Sequence, residues 1–258
     1  MYLTRFRFNA ARTGARRLLS SPQSLHAAVM FSFPDLLPNT GTGPSLSEKP
    51  RVLWRVDRNA AADVLLYIVS PDQPDLTHLV EQAGWPAAAK ANPDKPGWQS
   101  LPYEPFLNQL TVGSSWAFRL TANPVHHIRR QDTEPTKRTG HTTPLHQMKW
   151  LLDPARQENA GFRVCKTADN PGLLPNGSAH PGDNFELAVR DQRILSFTKS
   201  RAAARQSPPI TLLTVTFDGR LEVMDPERLR LTLAKGLGKA KAYGCGLMTL
   251  APAPTTSR

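Results

Sequence analysis

The stretch FDGRLEVMDPERLRLTLAKGLGKAKAYGCGLMTLAP, Phe217 to Pro252, holds strand, helix, glycine-rich loop and strand in succession. Asp225 is placed to cap a helix whose first position suits Pro226, and Leu229, Leu233 and Leu237 recur at i, i+4 and i+8 as one buried stripe. Asp218-Gly219 reads as a turn between two strand-like runs, ITLLTV before it and RLEV after it, and GLMTLAP reads as the last strand. Farther upstream, SSWAFRLTAN at 114–123, FRVCKTA at 162–168 and FELAVRDQRILSF at 185–197 read as strands. PLHQMKWLLDPARQENA at 144–160 reads as a helix broken at Pro154.

The first half repeats this order. Tyr2, Thr4, Phe6 and Phe8 alternate with Leu3, Arg5 and Arg7, the period of a strand packed on one face. After a break comes SSPQSLHAAVMF, where Ser21 caps, Pro22 opens the helix, and Leu25 with Val29 forms its buried stripe. PNTGTGPSLSEKP at 38–50 is a loop, RVLWRVDR at 51–58 and DVLLYIV at 63–69 are an antiparallel strand pair, and 75–83 is a second helix. Prolines interrupt 84–105 before a strand resumes. Strand, helix, strand, strand, helix, strand is the ferredoxin-like unit. The expected fold is α+β, two tandem ferredoxin-like (RRM-like) domains, 1–108 and 109–258, joined near residues 104–112.

At 258 residues the chain has room for two such cores, and it contains no apolar run long enough to span a membrane. Thirty-two Lys and Arg against 21 Asp and Glu leave a net charge of +11 and an isoelectric point near 10.1. That balance favours a polyanionic partner: nucleic acid first, an acidic membrane surface second, an acidic protein third. The excess is clustered in residues 1–34, 126–150, 190–206 and 227–241, which together hold twenty basic and four acidic groups. Four separated basic stretches suit a groove for nucleic acid, whereas a membrane-surface protein concentrates its charge in one amphipathic helix. Residues 1–34 have five arginines and no acid, as transit peptides do, but their strand alternation assigns them to the fold. Cys165 and Cys245 fit neither a disulfide scaffold nor a zinc spacing, and a reducing cytoplasm is expected, with both thiols buried.

GLGKAKAYGCG, Gly236 to Gly246, has glycines at 236, 238, 244 and 246 and lysines at 239 and 241. Glycine lets a backbone approach phosphate and lysine supplies charge, so the loop is chemically suited to hold an anion; a glycine-rich structural turn accounts for the same composition. Its spacing is not that of a nucleotide-hydrolase phosphate loop.

A loop of the form G-h-G-x-x-x-x-G-x-G near the carboxyl terminus resembles the signature of the repeat-associated RNA-binding superfamily. MYLTRF, His26, VLWRV at 52–56, FRLTANP at 118–124, KWLL at 149–152, FDGRLEVMDPERL and GLGKAKAYGCGLMTLAP together resemble the CasE family of pre-crRNA-processing endoribonucleases of type I-E Cascade. The resemblance implies two ferredoxin-like domains, a CRISPR repeat hairpin as substrate, other Cascade subunits as partners and a helix-borne catalytic histidine at His26. Such an enzyme needs no metal, because the RNA's own 2′-hydroxyl attacks the adjacent phosphate once a base accepts its proton, and histidine titrates in the right range.

Family members commonly carry a tyrosine one turn before the histidine, where this chain has Gln23. Gln23 shares a helix face with His26 and can orient a phosphate or hydroxyl, but it cannot exchange a proton. The substrate-binding residues expected are therefore Gln23, the basic arm Arg190, Arg193, Lys199 and Arg201, and the loop residues Gly236, Gly238, Lys239, Lys241, Gly244 and Gly246. No metal ligands and no cofactor are expected: His141 and His146 lack a zincin helix and glutamate, and no carboxylate cluster suggests paired magnesium ions. HHIRRQDTEPTKRTGH at 126–141 reads either as a mobile RNA-contacting loop or as a solvated connector. The two rival functions are a non-catalytic RNA-binding Cascade subunit, which Gln23 keeps open, and a purely structural subunit with a basic face.

Overall fold

The computed structural model describes residues 1–33, 51–91, 97–128, 137–167, 184–197 and 209–253. The chain forms two compact units. The first holds residues 1–108 with 197–209 and 241–244; the second holds 109–196, 210–240 and 245–258.

In the first unit β1 (Tyr2–Phe8), β2 (Leu53–Ala60), β3 (Asp63–Ser70) and β4 (Trp98–Pro102) form a sheet of order β2-β3-β1-β4, with β1 antiparallel to both β3 and β4. This is the ferredoxin-like order. Phe6 and Phe8, buried on one face of β1, meet edge to face at 4.9 Å and join Trp54, Leu66 and Ile68 in the core. The helices α1 (Thr13–Ser20), α2 (Pro22–Met30) and α3 (Thr77–Ala83) close that core with Ala15, Leu18, Leu25, Val29, Leu79 and Val80. A short helix, α4 (Pro86–Ala91), precedes β4, and α5 (Glu104–Leu107) follows it.

Helix α1 lies where the sequence reading has only a break. Its apolar positions, Ala15 and Leu18 at i, i+3, are buried, while Arg16 and Arg17 between them are exposed. Helix α2 begins as expected, with Pro22 at its start and the Ser21 hydroxyl accepting from the Ser24 amide at 3.2 Å.

The second unit pairs β5 (Ser115–Ala122), β8 (Phe162–Val164), β10 (Ile210–Val223) and β11 (Met248–Pro252) in the order β11-β5-β10-β8, again ferredoxin-like. Helices α6 (Pro144–Leu152) and α7 (Pro154–Ala160) separate β5 from β8, and α8 (Pro226–Lys235) separates β10 from β11. The helix break at Pro154 and the Asp225 cap, whose carboxylate accepts from the Glu227 and Arg228 amides, are as read from sequence. Two elements are added to the plain fold: β9 (Leu187–Phe197) pairs with β10, and β6 (Val125–Ile128) pairs with β7 (Lys137–Gly140).

Three expectations are corrected. Asp218-Gly219 is no turn, since β10 runs unbroken through both. A side chain at Gly219 would lie 2.3 Å from the Glu186 carbonyl oxygen, so glycine is required there for close backbone approach. Within the segment 126–141, residues 126–128 pair with 137–139 in the β6–β7 ladder rather than being loop, with residues 129–136 outside the described set. Of the two cysteines, Cys245 is fully buried and Cys165 is only half-buried.

Candidate functional site

His26 sits on α2 between the buried Leu25 and Ala28, and is itself half-buried. One residue past the stripe is about 100° around the helix, which turns its ring to the border of the core. Its Nδ1 is closed off from solvent and has no hydrogen-bond partner among the described residues. Burial lowers its pKa below the ordinary 6.5, so the imidazole is neutral at neutral pH, as a general base must be.

Desolvation here sets the sign of two pH effects. A neutral imidazole is favoured in the folded state, so its contribution to stability is complete above 6.5 and is lost as pH falls through the folded pKa. Single-turnover cleavage limited by a base at this position should therefore fall to half its plateau rate only below pH 6.5. A rate that already halves at pH 7 would contradict the burial.

Helix α2 is fixed at both ends. The Ser21 cap holds its start, and His78 Nε2 on α3 donates to the Ala28 carbonyl at 2.9 Å near its end. Gln23, half-buried, lies one turn before His26 on α2. A 3-10 turn, Lys241–Tyr243, packs against α2 and β2 in this same unit, and the Tyr243 ring lies 4.7 Å from that of Phe197. The first unit thus contains Gln23, His26, Lys241 and Gly244, with the turn bearing Lys241 packed against the helix bearing Gln23 and His26. Two groups of this unit lie outside the residues expected from sequence: Arg17, exposed on α1, and Tyr243. The Ala15/Leu18 spacing could have disclosed α1 and so Arg17, but no local signal ties Tyr243 to α2.

The glycine-rich loop has a backbone of unusual form. Gly236, Gly238, Gly244 and Gly246 all have positive φ, and so does Ala240 at 59°. Packing explains two of the glycines. A side chain at Gly238 would approach the Trp150 ring to 3.1 Å, and one at Gly244 would approach the Trp54 ring to 2.7 Å. Three loop amides are already engaged: Gly236 donates to Thr232, Leu237 to Gly246 and Gly246 to Thr121.

Arg190, Arg193, Gly236, Gly238, Lys239 and Gly246 belong to the second unit. Arg190 pairs with the Asp218 carboxylate, which also accepts from Arg119 Nε at 2.7 Å, so its charge is partly compensated. Arg193 is exposed on β9 and makes no ion pair among the described residues. Lys199 and Arg201 lie outside the described residues. Among those described, no three His, Cys, Asp or Glu side chains form a metal-binding group, and no helix is long and apolar enough to cross a membrane.

A family model described as CRISPR associated protein matches residues 1–252. The chain belongs to that family. This CRISPR-associated protein is 27% identical over 254 residues to the CRISPR-associated endoribonuclease Cse3 of Thermus thermophilus, a match covering 98% of this chain and all of the relative. It is 25% identical over 206 residues to the CRISPR system Cascade subunit CasE of Escherichia coli, covering 78% of this chain and 88% of the relative. Among solved structures, Thermus thermophilus Cse3 bound to an RNA representing a pre-cleavage complex superposes with a TM-score of 0.66 at 26% identity, covering 97% and 98% of the two chains. The CasE resemblance and the two ferredoxin-like domains of this CRISPR-associated protein are borne out.

Proposed function

We propose that this protein is a cytoplasmic, metal-independent endoribonuclease that cuts the hairpin of CRISPR repeat RNA and stays bound to the product as a subunit of Cascade. The observation that carries this reading is His26. It is a half-buried imidazole held neutral by its surroundings, on a helix anchored at both ends, in a chain whose full-length relatives are named as an endoribonuclease and a Cascade subunit. The bond between the 2′-oxygen and phosphorus forms as the bond from phosphorus to the 5′-oxygen breaks, and that departing oxygen takes up a second proton, leaving a 2′,3′-cyclic phosphate and a 5′-hydroxyl. His26 takes the proton from the 2′-hydroxyl. With Nδ1 closed off, proton exchange falls to Nε2.

Charge accumulates on the phosphate in the transition state, and cationic groups placed there stabilise it. Lys241, in the unit that carries His26, is suited to this, while Arg193, Lys239 and the arm residues Lys199 and Arg201 are suited to gripping the stem. A-form RNA exposes phosphates, 2′-hydroxyls and shape rather than base edges, so basic side chains are the appropriate type. Gln23 can orient the reacting phosphate but cannot supply the second proton; Tyr243, in the 3-10 turn that packs against α2, is a phenol of the same unit suited to that role.

The test is cleavage of the cognate repeat hairpin in EDTA, with and without a single 2′-deoxy sugar just upstream of the cut. The normal RNA is expected to be cut and the deoxy RNA to be bound intact. Cleavage of the deoxy RNA would overturn the proposed nucleophile, and binding of both RNAs without cleavage would favour the non-catalytic subunit.

A further inference from the structure

Three histidines that the cleavage chemistry does not use form a row in the second unit. His141 lies between His126 on β6 and His146 on α6, with ring centroids 4.2 and 5.8 Å apart and planes within 22° and 6° of parallel. The row is held in place. Thr143, at the start of α6, leaves the helix amides uncapped and instead bonds His146 Nδ1 through its hydroxyl at 2.6 Å. Fully buried Gln147 donates through Nε2 to the His141 carbonyl at 2.7 Å and to Gln192 Oε1 at 2.6 Å.

This arrangement is poor value for stability alone. Gln147 Oε1 and His126 Nδ1 are buried without partners among the described residues, a cost that folding by itself does not explain. Metal binding is a poor fit too, because parallel rings turn their faces, not their nitrogens, toward one another. Burial, first, and then the neighbouring His126, His146 and Arg156 lower the His141 pKa, which favours a neutral central ring at neutral pH. The row ends on His146, which is exposed, and Lys149 lies one turn farther along the same helix and is exposed as well.

We propose that the open face of His146 is a stacking platform for an unpaired nucleobase flanking the hairpin, extending the three-imidazole row by one ring, with Lys149 beside the nucleotide's phosphate. This rests on the RNA-binding reading above. Bases inside a stem are already stacked and paired, so only a single-stranded extension can supply the fourth ring. Base–aromatic stacking depends little on base identity, whereas the phosphate contribution of Lys149 is screened by salt.

The experiment measures affinity of the full-length protein for the repeat hairpin, made uncleavable by a 2′-deoxy sugar, in three forms: bare, with a short unpaired extension on either side, and with the same extension made of abasic riboses. The wild type should bind one of the base-bearing extensions about tenfold more tightly than its abasic counterpart. That ratio should persist when salt is raised. His146→Ala should reduce it to near one, and His146→Trp should retain it. Equal affinity of the wild type for base-bearing and abasic extensions, an unchanged ratio in His146→Ala, or a ratio that vanishes with salt would each overturn the platform. If the bare hairpin is bound tightly in those cases, the stacking site alone has failed; if the wild type binds no hairpin, the RNA-binding function has failed with it.

Discussion

Replacing His26 by alanine is expected to slow cleavage of the repeat hairpin by about 10²- to 10⁴-fold, the usual contribution of a positioned acid or base. RNA affinity should hold, because the grip is assigned to basic side chains elsewhere. The loss corresponds to roughly 3–5 kcal/mol of transition-state stabilisation. Folding gives no competing explanation. Alanine favours a helix more than histidine does, and the substitution removes the unpartnered Nδ1 from the edge of the core. Thermal stability of the variant should therefore equal or exceed that of the wild type. Single-turnover kinetics with filter binding separates the two effects, and added imidazole should restore part of the rate by entering the vacated space. A folded variant that cuts at the native rate would remove the foundation of the proposed mechanism.

Gly244→Ala is expected to destabilise the protein by about 3 kcal/mol, lowering Tm by roughly 6–12 °C. Two costs combine. The residue has φ +80°, where a Cβ costs about 1–2 kcal/mol, and that Cβ would lie 2.7 Å from the buried Trp54 ring. Trp54 shares a core with Leu25 and Val29 of α2, so the disturbance reaches the seat of His26 and should lower cleavage as well. Ala240→Gly is the opposing control. Ala240 carries its Cβ at φ 59°, and glycine there should leave stability unchanged or raise it. Calorimetric scans of both variants check the pair; a neutral Gly244→Ala would mean that the loop yields more readily than its contact with Trp54 implies.

Much of the fold was legible locally because its signals are local. Alternation along Tyr2–Phe8, the Ser21 and Asp225 caps, the helix starts at Pro22 and Pro226 and the break at Pro154 each act through a few neighbouring residues, and each has its expected effect. Asp218-Gly219 misled because a turn and a strand crossing close to another backbone demand glycine equally, and only the Glu186 carbonyl above it distinguishes them. Arg55 illustrates the same limit. Nothing local in the β2 sequence marks it as buried, yet it is fully buried, with its guanidinium bonded to both Asp57 oxygens at 2.6 and 2.9 Å.

By itself the sequence determined the order of elements, the repeated ferredoxin-like unit, the basic character and the helix that bears His26, because periodicity, capping and charge are properties of neighbours along the chain. Tertiary structure decided the rest. The burial that keeps His26 neutral, the indoles that require Gly238 and Gly244, the pairing that engages Arg190 and the stacking of His126 on His141 all arise from groups apart in sequence. Desolvation and close contact depend on which surfaces meet, and that meeting exists only once the chain has folded.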